Sequence, residues 1–139
     1  MMFWDSSALV AVLNDESRSP EARRWSAVDD MVVAWHTRVE VFSAFARLRR
    51  EGSIDEAFLD RHLAKLQRVA SEWIEIEPLE DVRRTAMRLL RTHILRSLDA
   101  LQLASAWFAS EGRPDTLDFV CFDARLAAAA QREGFRVRS

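Results

Sequence analysis

Short apolar runs alternate with longer segments of helical period along this chain, and that alternation restricts the folds open to it. The runs are three or four residues long and rich in β-branched and aromatic side chains. Such runs, separated by amphipathic helices, are typical of a parallel sheet that is covered on both faces. The pattern predicts an α/β fold with five strands: Met2–Trp4, Met31–Ala34, Trp73–Ile76, Phe119–Phe122 and Phe135–Val137.

The segments between these runs predict seven helices, because their apolar residues recur at three- and four-residue spacing. Pro20 suits the first turn of the second helix, and Gly112 and Gly134 stand where helix C-caps are expected. Leu98–Phe108 is apolar on nearly all sides, which predicts a central helix. No linker or repeat interrupts this order, so we expect residues 1–139 to form one domain.

Four acidic residues lie where a predicted strand or loop gives way to a helix: Asp5, Glu40, Asp99 and Asp123. In a parallel sheet, every turn from strand to helix opens at the same edge. Carboxylates placed at several such turns therefore converge, and clustered carboxylates hold hard cations such as Mg²⁺. The sequence predicts a metal site at this edge.

Each acid also has an ordinary structural interpretation. Asp5 and Asp123 can cap helix N-termini, and Asp99 sits in a first turn where the helix dipole favours negative charge. Thr37 to Glu40 reads as a capping box, in which the glutamate bonds back to the backbone. Position alone leaves both interpretations open.

Several classes of function are disfavoured by what the sequence lacks. Three glycines provide no phosphate-binding loop and no dinucleotide fingerprint. The three histidines lack zinc-ligand spacing, and the single cysteine, Cys121, lies in an apolar run where it packs as a small hydrophobe. A net charge of -2 argues against coating nucleic acid, although it permits an enzyme that handles nucleic acid locally.

Short motifs surround the acids. They are Asp-Ser-Ser-Ala-Leu from Asp5, Thr-Arg-Val-Glu-Val around Glu40, Asp-Ala-Leu-Gln-Leu-Ala from Asp99, and Phe-Asp-Ala-Arg-Leu around Asp123. In this order the motifs resemble those of the PIN-domain nucleases, most closely the VapC-type ribonuclease toxins of bacterial toxin–antitoxin pairs. The resemblance covers essentially the whole chain.

The resemblance implies a three-layer α/β/α sandwich and an endoribonuclease that depends on Mg²⁺ or Mn²⁺. It assigns Asp5 and Asp99 as the principal metal-binding acids, Glu40 as the third acid, and Asp123 as a fourth that acts through water. All four would be catalytic. We expect metal-activated water to attack the RNA phosphodiester, which leaves 5′-phosphate and 3′-hydroxyl ends.

The resemblance also assigns a supporting hydroxyl beside the first acid, with Ser7 favoured over Ser6. The chain departs from the family at two positions. Gln102 stands where many relatives have histidine, and Cys121 stands where many have threonine or serine. Neither departure removes a metal ligand.

RNA approaching an acidic pocket needs neighbouring cations. Arg96, Arg38 and Arg125 are the candidates nearest to the acids in sequence, and for each a solvated surface arginine is an equally open interpretation. For the run Arg47–Arg50, a solvated helix end is the favoured interpretation.

The partners implied by the resemblance are a small antitoxin protein and a second copy of the chain in a homodimer. Aromatic residues on the helices could line such surfaces, but helical spacing favours the core for them. No segment suits a membrane span or a targeting signal, so we expect a cytoplasmic protein. Two alternatives stay open: a PIN nuclease of RNA processing, and a catalytically silent PIN-like interaction module.

Overall fold

A computed structural model describes residues 1–139 and contains one five-stranded, fully parallel sheet. The strand order is β3-β2-β1-β4-β5, so the chain reverses its direction across the sheet between β1 and β4. The strands are β1 Met2–Trp4, β2 Met31–Ala34, β3 Ile74–Ile76, β4 Asp118–Val120 and β5 Arg136–Arg138.

Seven α-helices cover the sheet. They are α1 Ser6–Leu13, α2 Ser19–Ser26, α3 Thr37–Arg50, α4 Glu56–Ala70, α5 Glu80–Thr92, α6 Ser97–Ala109 and α7 Ala124–Arg132, with a short 3₁₀ turn at Pro114–Thr116. None of these helices is long and apolar enough to cross a membrane.

The helices form two layers because alternate strand residues face opposite sides of the sheet. Met2 and Trp4 pack with α1, α2, α3 and α4 in one buried cluster. Phe3 faces the other way and packs with α5, α6 and α7 in a second cluster. The predicted three-layer α/β/α sandwich is confirmed.

The last three strands differ from the predicted bounds by one or two residues; β3 begins at Ile74 and not at Trp73. Phe122 was predicted to end the fourth strand, but its backbone N–H donates to Ser7 Oγ at 2.9 Å and does not join the ladder. Phe135 was predicted to begin the fifth, but its N–H donates to the carbonyl of Ala130 and closes α7. Gly134 makes that closure possible at a φ of +99°, as its predicted C-cap role requires.

Candidate active site

The reversal of the chain between β1 and β4 creates the crevice in which open α/β sheets bind ligands. Asp5 follows β1 and Asp123 follows β4, so the two acids lie on either side of this crevice. Glu40 reaches it from the first turn of α3, and Asp99 from the first turn of α6. All four acids line one cavity of about 350 Å³.

Asp5 is the most deeply buried of the four, with 3% of its surface exposed. Its Oδ2 accepts hydrogen bonds from the backbone N–H and the hydroxyl of Ser7, which makes Asp5 the N-cap of α1. The Cys121 thiol lies within donating distance of the same oxygen, at 3.6 Å, and of the carbonyl oxygen of Asp123, at 3.4 Å. All the bonds to the Asp5 carboxylate end on Oδ2, so Oδ1 accepts no hydrogen bond from the chain.

Ser7 ties this carboxylate to the neighbouring strand. Its hydroxyl donates to Asp5 and accepts from the N–H of Phe122, just after β4. Burial, and then the charge of Asp5, raise the pKa of the Cys121 thiol, so the thiol keeps its proton and acts as a donor. Cys121 is buried, as predicted, and also contacts the first acid.

The carboxyls of this cavity are hard to ionise together. Burial, with a smaller contribution from the charge of Glu40, raises the pKa of Asp5 to about 6 against the opposing hydrogen bonds from Ser7. Burial also raises the pKa of Asp99, and the charges of Asp123 and Glu40 add to the effect. The four side chains therefore form an electrostatic cluster, and a bound cation would relieve its strain.

Glu40 is held from two sides. Ser6 Oγ donates to its Oε2 at 3.2 Å, and Gln102 Nε2 donates to its Oε1 at 2.9 Å. The capping-box interpretation of Thr37–Glu40 is wrong, because α3 begins one residue earlier than such a box requires. His36 occupies the N-cap, and the buried Thr37 hydroxyl bonds to Gln102 instead.

Gln102 is a functional candidate whose role the sequence did not indicate. It is fully buried in α6, and its amide spans from Thr37, at 3.0 Å, to Glu40. A buried amide that satisfies both groups fixes the orientation of the Glu40 carboxylate. Gln102, at the position where many relatives have histidine, therefore still provides a hydrogen-bond donor to Glu40.

His36 was also missed, since the sequence assigned no histidine to the site. Its Nε2 lies 3.0 Å from Glu40 Oε1, and 17% of each side chain is exposed. The four-residue spacing of His36 and Glu40 was the available signal, and it becomes visible once α3 is seen to begin at Thr37.

Asp99 and Asp123 form the open half of the cavity. Asp123 is exposed and caps α7 by accepting from the N–H of Leu126 at 2.9 Å. Asp99 is half-buried. A second cavity of about 350 Å³ adjoins them and is lined by Arg96 and Arg125, two of the predicted substrate-binding arginines.

The third predicted arginine, Arg38, lies elsewhere. Its guanidinium pairs with Glu75 at 3.3 Å and covers the ring of Trp73, and it lines neither of the two cavities. Arg47, in contrast, lines the acid cavity, although its run was interpreted as a solvated helix end.

The donor set fits a hard divalent cation, since every acid offers carboxylate oxygen and Oδ1 of Asp5 accepts no hydrogen bond from the chain. The side chains do not form a closed cage, because no three His, Cys, Asp or Glu residues are placed to hold one ion jointly. Mg²⁺ needs no such cage: it keeps several waters and is bound through one or two carboxylates plus substrate phosphates.

Comparison with known proteins agrees with this geometry. The family model described as PIN domain matches residues 2–132. Ribonuclease VapC45 of Mycobacterium tuberculosis is 32% identical over 99% of this chain and 94% of its own length. Ribonuclease VapC47 of the same species is 27% identical over 97% of this chain and 93% of its own length.

A solved structure with the same fold is that of M. tuberculosis VapC20, described as a sarcin-ricin loop cleaving toxin. It superposes with a TM-score of 0.70 at 20% identity, covering 100% of both chains. The family match over nearly the whole chain and the 32% identical relative lead to one conclusion: this chain belongs to the PIN domain family, in its VapC group.

Proposed function

We propose that this protein is a Mg²⁺-dependent endoribonuclease and the toxin of a VapBC-type toxin–antitoxin pair. The observation that carries the proposal is the convergence of Asp5, Glu40, Asp99 and Asp123 on one cavity at the crevice of the sheet. Support for RNA as the substrate comes from the relatives, which are named ribonucleases. Mn²⁺ is an alternative cofactor with the same ligand preference.

The ion, when bound, supplies positive charge that activates water and offsets the charge developing on the attacked phosphate. The side chains of the protein hold the acidic residues in place. Ser7 and Cys121 hold one oxygen of Asp5, which leaves the other for the ion. Gln102 and Ser6 hold Glu40 in a fixed orientation. Such preorganised carboxylates need no rearrangement during the reaction.

We expect the substrate to enter from the open side of the cavity, where Asp99 and Asp123 lie beside Arg96 and Arg125. The two arginines attract the RNA backbone toward a pocket that otherwise repels it. Asp99 lines both cavities, between the buried acids and the arginines, where its carboxylate would help to hold the ion.

The proposed partners are a small antitoxin and a second copy of the chain. A toxin–antitoxin complex from Klebsiella pneumoniae shares the fold, with a TM-score of 0.70 at 15% identity over 100% of this chain and 97% of that one. Exposed apolar side chains, among them Trp35, Val39 and Phe42, offer a surface for association. The cytoplasmic location expected from the sequence stays a prediction.

The silent-module alternative is disfavoured by one feature. All four acids share the cavity, and the buried Asp5 costs stability when it ionises, so a module without catalysis has no evident use for it. The RNA-processing alternative has the same site and differs in having no antitoxin.

The deciding experiment is an RNA cleavage assay with Mg²⁺, with Mn²⁺ and with EDTA, comparing the wild-type protein with Asp99→Asn. We expect cleavage with either metal, none with EDTA, and a large loss in the variant. The products should carry 5′-phosphates. Equal cleavage in EDTA, or 2′,3′-cyclic phosphate ends, would contradict the proposal. Co-purification with the product of an adjacent gene separates a toxin from a processing nuclease.

A further inference from the structure

Arg47 occupies an unusual position among the arginines of α3. Glu40, Ala44 and Arg47 are spaced by four and three residues, so they share one face of the helix. All three line the acid cavity, opposite Ser6, Ser7 and Val10 of α1. The small side chain of Ala44 keeps the space between Glu40 and Arg47 open.

The Arg47 guanidinium is not committed to another group. Arg49, two residues later, pairs with Glu56 at 3.2 Å, whereas Arg47 forms no ion pair. Glu16 also lines the cavity, but its carboxylate contacts Asn14, at 3.5 Å. An arginine that faces the cavity without a partner is available to a ligand.

The helix places Arg47 beyond the acids. Seven residues of α-helix correspond to about 10 Å along the axis, so Arg47 lies well past Glu40, and its side chain is exposed. Arg96 and Arg125 line the adjoining cavity, which shares Asp99 and Asp123 with the acid cavity but does not include Arg47. Asp99 and Asp123 therefore link a cavity lined by Arg47 to one lined by Arg96 and Arg125, and none of these three arginines forms an ion pair.

This arrangement suits a polyanion that crosses the acid cavity. A strand whose central phosphate sits at the acids needs cations under its flanking phosphates, or repulsion excludes it. The planar guanidinium of arginine binds phosphate oxygens in a two-pronged fashion.

We infer that Arg47 binds a backbone phosphate of the RNA adjacent to the one that is cleaved, on the side formed by α1 and α3. The inference rests on the proposed function and extends it by giving the path of the RNA across the protein. The RNA runs between Arg47 and the pair Arg96 and Arg125, over the acids. Arg47 positions the strand and takes no part in the chemical step.

The test measures RNA binding by the full chain carrying Asp5→Asn, so that cleavage does not interfere. The probe is a labelled pool of random single-stranded RNA of about 12 nucleotides, within the usual range for one site. Affinity is measured by anisotropy over a series of salt concentrations in Mg²⁺. Arg47→Gln is compared with Arg50→Gln, a matched control on the same helix end that has no ion pair and does not line the cavity.

Arg47→Gln should remove one phosphate contact. The slope of log affinity against log salt concentration should then become less steep by about 0.7, and the affinity itself should fall by roughly threefold. Arg50→Gln should change neither, and Arg47→Lys should restore part of the slope. In the protein with Asp5 intact, Arg47→Gln should raise KM and leave kcat unchanged.

Two results would overturn the inference in distinguishable ways. Equal slopes for Arg47→Gln and Arg50→Gln, with a wild-type protein that cleaves RNA, would remove the Arg47 contact and leave the proposed function standing. A wild-type protein that neither binds nor cleaves RNA would remove both.

Discussion

The two halves of the acid cavity are built differently. Asp5 and Glu40 are held by neighbouring side chains, through bonds from Ser7, Cys121 and Gln102. No other side chain donates a hydrogen bond to Asp99 or Asp123, whose carboxylates accept only from backbone N–H groups. Asp123 is exposed, and its one side-chain bond caps a helix.

Under the proposed function, this difference indicates that the buried half is preorganised for the ion and that the open half meets the substrate. A buried carboxylate held on one oxygen has a fixed direction, as metal binding requires, but its burial costs stability. The exposed carboxylate of Asp123 costs little and, under the proposed function, can move with the RNA. The two halves should therefore respond differently to the same substitution.

The largest expected effect is the loss of catalysis in Asp5→Asn. The amide keeps the size of the side chain but removes the charge that faces the cavity, so the cleavage rate should fall by a factor of about 1,000. Single-turnover RNA cleavage in Mg²⁺ measures it. A fall of less than about tenfold would show that the buried half does not hold the ion.

The same substitution should stabilise the metal-free protein above pH 6. The pKa of Asp5 is about 6 in the folded chain and 3.8 in the reference state, so the unfolded chain binds fewer protons between these values. The free energy of unfolding therefore falls as pH rises from about 4 to about 6, by up to about 3 kcal/mol, and stays lower above it.

The Asp5→Asn variant has no carboxyl group at this position, so its stability does not change with this titration. In EDTA, its stability relative to wild type should be unchanged below pH 4 and greatest above pH 6, as measured by urea unfolding. Mg²⁺ should stabilise the wild type more at pH 7 than at pH 5, because the ligand must lose its proton, and should not stabilise the variant. A constant difference across the pH range would contradict the burial of a titrating carboxyl.

Much of this arrangement could be predicted from the sequence because it depends on local patterns. The strands follow from apolar runs, and acids that follow parallel strands must meet at one edge. Asp5 and Asp123 converge for that reason, despite being far apart in the chain. The structure adds that they are helix caps as well, so the two interpretations of these residues are compatible.

The contacts that orient the acids could not be predicted in the same way. Gln102 and Glu40 are separated by 62 positions, and their contact depends on how α6 crosses α3. Helical period does not encode such a crossing. Arg47 is an intermediate case, because its spacing from Glu40 places both on one face, but the sequence does not show which face meets the cavity.

Gln102→Leu tests whether the held orientation of Glu40 matters. Leucine keeps the volume but removes both donors, so Thr37 and Glu40 lose a buried partner and the protein should lose about 1 to 3 kcal/mol of stability. Cleavage should fall by a factor of about 10 to 100, and the Mn²⁺ concentration for half-maximal thermal stabilisation should rise.

The matched control for Gln102→Leu is Ser105→Ala on the same helix. Ser105 is buried and donates to the carbonyl of Leu101, but reaches no acid. Its loss should affect stability and leave the Mn²⁺ requirement unchanged. If the two variants shift the Mn²⁺ requirement equally, Gln102 is a packing residue only.

The smallest expected effect concerns Asp123, in the open half, where capping and chemistry can be separated. Asparagine caps helices as well as aspartate does, so Asp123→Asn should keep the stability of α7 and reduce cleavage by about tenfold. Asp123→Ala should show the same loss of cleavage and, in addition, lose about 1 kcal/mol of stability because the N–H of Leu126 loses its acceptor. Thermal unfolding and cleavage rates of the two variants distinguish the capping role of Asp123 from its catalytic role. Full activity in Asp123→Asn would mean that this acid serves the helix alone, and that the open half contributes to the site through Asp99.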